Sequence, residues 1–181
     1  MAKPIVSFEA IEDYLKKGEE GVIELIKATE PYIKQVELIA QKMRTNQIQT
    51  PQERNTHRQE LAGIYTTLNK ISSATYAYAN YITNSALVKG KDDYLKNPWT
   101  AEEKKIDKDG NEKINKKVIT YSSTISKAEA EKEAYPYFRA ACYLKSYVDA
   151  IKQCCMSFAG QIKDYRGDIE NDASETESEF E

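Results

Sequence analysis

His57 is the only histidine in the 181 residues, so acid–base or nucleophilic relays have one place to be built. It sits among Arg54, Arg58 and Glu60 near a helix start. A solvated side chain is a simpler reading there than a catalytic base, which needs an oriented partner within hydrogen-bond reach. The three cysteines, Cys142, Cys154 and Cys155, fall in one helical segment. Adjacent thiols on a helix diverge, and an odd number makes a poor disulfide framework. They also lack the ligand spacing of a zinc site. Asp107-Lys108-Asp109-Gly110 has the look of a calcium loop. Its glycine comes two positions early and the bidentate acid is missing, so a hairpin turn fits better. Acidic pairs at helical spacing, such as Glu20 and Glu24, read as solvated surface. Neither the P-loop nor the dinucleotide glycine pattern occurs. The expectation is a non-enzymatic protein with no metal and no cofactor.

Binding chemistry is better represented. Lys89, Lys91, Lys96, Lys104, Lys105, Lys108, Lys113, Lys116 and Lys117 crowd one stretch, with Tyr94, Trp99 and Tyr121 among them and Tyr76, Tyr78 and Tyr81 just before. Cations that track phosphates, together with rings that stack on bases, are how single strands are held, at roughly 1–3 kcal/mol per stacked base. Thirteen tyrosines against four phenylalanines favour rings that tolerate partial exposure. The candidate nucleic-acid-binding set is therefore Lys89, Lys91, Tyr94, Lys96, Trp99, Lys104, Lys105, Lys113, Lys116 and Lys117. The plainer reading is lysines for solubility, diluted by Asp92, Asp93, Glu102, Glu103, Asp107, Asp109 and Glu112, with tyrosine hydroxyls at the rim of a core.

Charge is unevenly placed. Residues 168–181 hold seven acids and no lysine or arginine. Without them the chain's net −3 becomes +4 on residues 1–167. A mildly basic body with an acidic tail suits a surface that meets phosphates and a tail that competes with them. The tail, ending Ser178-Glu179-Phe180-Glu181, resembles those of single-strand-binding proteins; a solubilising role is the alternative. It carries too little apolar surface to pack and is expected to be disordered. No apolar run reaches the roughly 18 residues of a membrane span, and the start lacks a signal-peptide stretch. A cytoplasmic protein that does not enter a membrane is expected.

These residues need elements to hold them, and sparse punctuation (7 Gly, 5 Pro) suits long helices. Residues 1–45 carry a heptad-like stripe through Phe8, Ile11, Leu15, Val22, Leu25, Val36, Ile39 and Met43. A break is predicted near Gly18 and Gly21 and a kink near Pro31. Thr50-Pro51-Gln52-Glu53 is a capping box that opens a second helix over 50–90, ending near Leu87 to Gly90. Residues 91–125 form a basic arm, stopped by Asn97-Pro98 and turning at Asp109-Gly110. Such a hairpin is barely stable alone and is expected to be mobile unless held. Ser126-Lys127-Ala128-Glu129 reads as a second capping box, opening a last section over 126–167, with a kink or restart at Pro136. Its stripe runs Tyr137, Ala141, Leu144, Val148, Ile151, Cys155, Phe158, Ile162, Tyr165, Ile169 in alternating steps of four and three. It presents more than about 40 Å of coiled-coil-like seam at 1.5 Å per residue. Copies are therefore expected to associate through Leu144, Val148, Ile151, Cys155, Phe158 and Ile162. The fold class is all-α: an elongated antiparallel helical bundle with a small β-hairpin arm and an acidic tail over 168–181.

The order of features over about residues 50–166 resembles the UvsY-type recombination mediators of bacteriophages. The pieces are the Thr50-Pro51 helix start, the tyrosine-rich stretch to Tyr81, Lys89-Gly90, Tyr94 with Asn97-Pro98-Trp99, the run Lys127 to Lys132, Tyr147 to Lys152, and Phe158 to Arg166. The resemblance implies a ring-forming, non-enzymatic oligomer. Such a protein binds single-stranded DNA, meets a single-strand-binding protein and helps load a recombinase. The positions around Lys89 to Trp99 would then face DNA and the last helix would carry assembly. The competing expectation is a phage or bacterial structural or adaptor protein whose helices dock on other proteins without nucleic acid.

Overall fold

A computed structural model describes residues 7–106 and 112–178, with side chains as far as residue 163 except those of 103–106, 112, 113, 115 and 123. Four helices and one hairpin follow in the order α1 (Phe8–Leu15), α2 (Glu19–Arg44), α3 (Pro51–Lys96), β1 (Thr100–Ile106), β2 (Glu112–Val118) and α4 (Ser123–Ser178). The fold is all-α with a small antiparallel hairpin. The chain divides into two compact units: Met1–Tyr76 with Tyr137–Glu181, and Ala77–Pro136.

The first unit starts with a capped turn of helix. Ser7 Oγ accepts the Ala10 amide at 3.2 Å, satisfying one of the free N–H groups at the start of α1. The predicted break lies between α1 and α2. Gly18 takes a left-handed φ of 76°, and a Cβ on Gly21 would run into the Tyr14 carbonyl oxygen, so a side chain is excluded at that crossing. α2 runs unbroken through Pro31. The carbonyl that Pro31 leaves without its helical donor belongs to Lys27, and both residues are exposed, so water can serve it.

α3 opens on the predicted capping box. The Glu53 amide donates to Thr50 Oγ1 at 3.2 Å, and Glu53 Oε2 accepts the Thr50 and Gln49 amides at 3.1 Å each. Leu61, Ile64, Leu68 and Ile71 then bury one face. α4 answers antiparallel: Ser72 Oγ donates to the Ala141 carbonyl at 3.0 Å, Tyr76 meets Phe138 edge-on at 5.4 Å, and Lys152 lies over the Tyr65 ring at 5.7 Å. Ile11, Leu15, Leu25 and Ile39 complete this core from α1 and α2. Thr29 and Thr75 are buried within it. Each hydroxyl donates to a carbonyl of its own helix, Ile26 at 2.7 Å and Ile71 at 2.8 Å, so neither polar group is stranded.

The second unit buries only small side chains among its described residues: Ala79, Ala130, Ala134 and Ser126. Three expected boundaries move here. α3 does not stop at Leu87 to Gly90 but reaches Lys96, just before Asn97-Pro98. A mid-helix glycine costs only about 1 kcal/mol, and it is the residue before proline that leaves the α region. α4 starts at Ser123, not Ser126. Ser122 Oγ accepts the Ile125 amide at 3.4 Å, whereas Ser126 lies one turn inside and is buried. No restart occurs at Pro136, which α4 passes through; the carbonyl it orphans, on exposed Lys132, can again meet water.

α4 also continues to Ser178, into the acidic segment for which the sequence predicts disorder. Once a helix is nucleated, each added residue gains a hydrogen bond without a new nucleation cost. Glu179, Phe180 and Glu181 lie outside the described residues.

Candidate nucleic-acid interface

The basic arm lies within the second unit. β1 and β2 pair from Thr100↔Val118 to Ile106↔Glu112, which brackets a connection of residues 107–111. The predicted Asp109-Gly110 turn, with Lys108, lies outside the described residues. At the open end three rings close on one another. Tyr94 meets Trp99 at 5.4 Å and Tyr121 at 5.3 Å, and Trp99 meets Tyr121 at 5.9 Å. Two hydrogen bonds lock the same place: the Tyr94 hydroxyl donates to the Ile119 carbonyl at 2.8 Å, and the Ile119 amide to the Trp99 carbonyl at 2.8 Å. A two-stranded hairpin is marginal alone; this cluster ties its base to the last turn of α3.

Tyr94 and Trp99 therefore have a structural task. Both are half-buried, so part of each ring is occupied by its neighbours and part is left to solvent. Lys89, Lys91, Lys96, Lys116 and Lys117 are exposed. They do not form one patch. At 100° per residue Lys89 and Lys96 share a face of α3 and Lys91 lies on the other; Lys116 and Lys117, adjacent in a strand, alternate sides. The backbone register sets position Lys105 opposite Lys113 and Lys104 opposite Ile114; the side chains of Lys104, Lys105 and Lys113 lie outside the described residues. Over residues 89–121 nine lysines face seven acids. A surplus of two charges makes for modest attraction, strongly screened by salt.

Four of the six positions expected to carry association are internal. Leu144, Val148, Ile151 and Phe158 are buried within this chain, and Cys155 and Ile162 are half-buried. The helices of the first unit cover the stripe at Tyr137, Ala141, Leu144, Val148, Ile151 and Phe158, so one copy is sufficient to hide that part of it. Period alone does not tell an internal partner from an external one.

A scan of protein-family models, a search of curated proteins and a search of solved structures each find no match.

The remaining reactive side chains are quiet. His57 Nδ1 lies 2.9 Å from Glu60 Oε2, one turn on along α3. Burial pushes the Cys154 and Cys155 thiols above the ordinary range, the opposite of an activated thiolate. Tyr147 donates to Glu37 Oε1 at 2.9 Å. Its phenol is held well above the usual range, chiefly by its hydrogen bond with Tyr143, then by burial and Glu37. Among the described residues no group of three His, Cys, Asp or Glu stands ready for a metal ion, and no helix is long and apolar enough to cross a membrane.

Sequence reasoning overlooked the closure of Tyr94, Trp99 and Tyr121 on one another and the burial of Ser126. The first had a signal: three aromatics bracketing the two strands. The second is masked by a sequence that spells a capping box.

Proposed function

We propose that the protein is a non-enzymatic accessory of recombination or replication, mediator-like in type, that binds single-stranded DNA through its Ala77–Pro136 unit. One observation carries this reading. Five exposed lysines, Lys89, Lys91 and Lys96 near the end of α3 and Lys116 and Lys117 on β2, belong to a helix end and a hairpin whose base is pinned by half-exposed rings. Pinning matters because ordering a loose arm on binding would consume much of the gain. The lysines point to several sides, which suits a flexible polyanion that can wrap them better than a rigid duplex. A single-strand-binding protein and a recombinase are the protein partners this role implies. Assembly in this role would use surface other than the buried Leu144, Val148, Ile151 and Phe158.

The test is a fluorescence-anisotropy titration of a labelled oligothymidylate at several salt concentrations. Binding should weaken steeply with salt, because each phosphate contact releases counterions. Charge reversal at Lys89, Lys96, Lys116 and Lys117 together should weaken it at least tenfold and flatten the salt slope. Binding unchanged by that variant, or none at low salt, refutes the proposal.

A second reading, an adaptor that docks on another protein, is favoured by Tyr81, Val88 and Leu95. These three exposed apolar residues stand seven apart on α3 and so line one face. Replacing all three with serine should abolish protein capture and leave oligonucleotide binding unchanged if that reading holds.

A further inference from the structure

Between α3 and α4 of the second unit lies a recess of about 150 Å³. Its inner wall is small: Ala86 and Gly90 from α3, Ser126 and Ala130 from α4. Ser126 is only 4% exposed, and its hydroxyl oxygen is buried without a hydrogen-bond partner. Native proteins rarely leave such a group unmatched, because it has lost water and gained nothing. A Cβ at Gly90 would sit 3.8 Å from that oxygen, in ordinary contact, so position 90 lies directly beside it. A glycine inside α3, even within its last two turns, is otherwise an unfavourable helix residue.

The outer wall is charged. Asp93, Glu129 and Glu133 line it, with Lys89 as the only cation, so the recess is acidic on balance. The carboxylates are not grouped tightly enough to hold a metal ion. Spread around a space of this size, they suit a larger cation with several N–H donors. A primary ammonium has three donors and no acceptor, which matches one hydroxyl acceptor at the base and carboxylates at the mouth.

We propose that this recess binds a primary ammonium group, which donates to Ser126 Oγ while Asp93, Glu129 and Glu133 balance its charge. The group comes either from a small free amine or from a lysine side chain of a partner. Lys89 is the resident competitor at the mouth. Ammonium binding here does not require DNA binding, and Lys89 is the one residue that figures in both.

The experiment is a ¹H–¹⁵N NMR titration of the full chain, following the Gly90 and Ser126 amides. n-Butylammonium chloride should give a saturable shift. Tetramethylammonium chloride, with the same charge and no N–H, should bind at least fivefold more weakly. Ser126→Ala should erase that preference while leaving the fold intact, since it removes only an unpartnered hydroxyl. Glu129→Gln with Glu133→Gln, both at exposed positions, should weaken n-butylammonium at least tenfold, and Lys89→Met should tighten it. Equal response to the two cations, no saturable shift, or a preference that survives Ser126→Ala overturns the proposal. Putrescine and Nα-acetyl-lysine methylamide separate the sources. Tighter putrescine assigns a free diamine; equal or tighter lysine derivative assigns a partner's side chain.

Discussion

Replacing Leu144 with alanine removes three carbons from a side chain that is 0% exposed and sits in the core that α4 shares with α1, α2 and α3. Truncations of this kind cost about 2–5 kcal/mol, the spread reflecting how far neighbours relax into the space. The neighbouring core positions, Val148 and Ile151, are branched and stiff at χ1, so relaxation should be small and a loss of about 3 kcal/mol is expected. For a chain of this size that lowers the melting temperature by roughly 6–12 °C. Urea unfolding by circular dichroism, at two protein concentrations tenfold apart, measures it. The midpoint should fall by the same amount at both concentrations, and the native mass by light scattering should not change. Met156→Ala, at a position 75% exposed on the same helix, should cost under about 0.5 kcal/mol. A midpoint shift that depends on protein concentration, or a fall in native mass, would refute the reasoning, because it would place Leu144 between copies and not inside one.

Gly21→Ala should destabilise by more than about 2 kcal/mol, because the new Cβ meets the Tyr14 carbonyl. Gly63→Ala, which meets open space, should stabilise α3 by about 0.5–1 kcal/mol; thermal unfolding distinguishes them. The Glu53 carboxyl is held below its ordinary range, first by the Thr50 amide and then by that of Gln49. A depressed folded value means its contribution is complete above the ordinary glutamate range and disappears as pH falls through the lowered value. Stability of Glu53→Gln should accordingly fall less steeply on acidification than that of the parent, and parallel profiles would remove Glu53 from the cap. Trp99→Ala breaks two of the three ring contacts at the hairpin base, and hydrogen exchange of β1 and β2 amides should speed up at least tenfold while exchange over residues 61–71 does not change. Tyr94→Phe, which loses only the bond to Ile119, should show the same effect at about 1 kcal/mol.

Local rules account for much of this molecule. The capping box at Thr50 to Glu53, the break at Gly18 and Gly21, the apolar face of α3 and the placement of a hairpin after Asn97-Pro98 follow from residue type and spacing within a turn or two. The information is short-range because the hydrogen bonds and φ restrictions that enforce it are short-range. The same rules misjudged what packing decides. Ser126 to Glu129 satisfies a capping pattern, yet Ser122 caps and Ser126 is buried against Gly90. At Pro136 a restart is one of the two outcomes expected, yet the orphaned carbonyl lies where water reaches it and α4 continues, as α2 does through Pro31. The stripe from Tyr137 onward announces a long contact surface truthfully, since alternating threes and fours require one. Whether that surface meets the chain's own α1, α2 and α3 or a second copy is a question of which apolar faces lie within reach once the chain turns back. Only tertiary packing answers it, because the hydrophobic effect rewards burial without specifying a partner. Sequence alone thus determined the helices, their apolar faces and the lysine-rich arm; the tertiary structure decided that Leu144, Val148, Ile151 and Phe158 of the last stripe are internal, that Tyr94, Trp99 and Tyr121 hold the arm, and that one serine hydroxyl is buried without a partner.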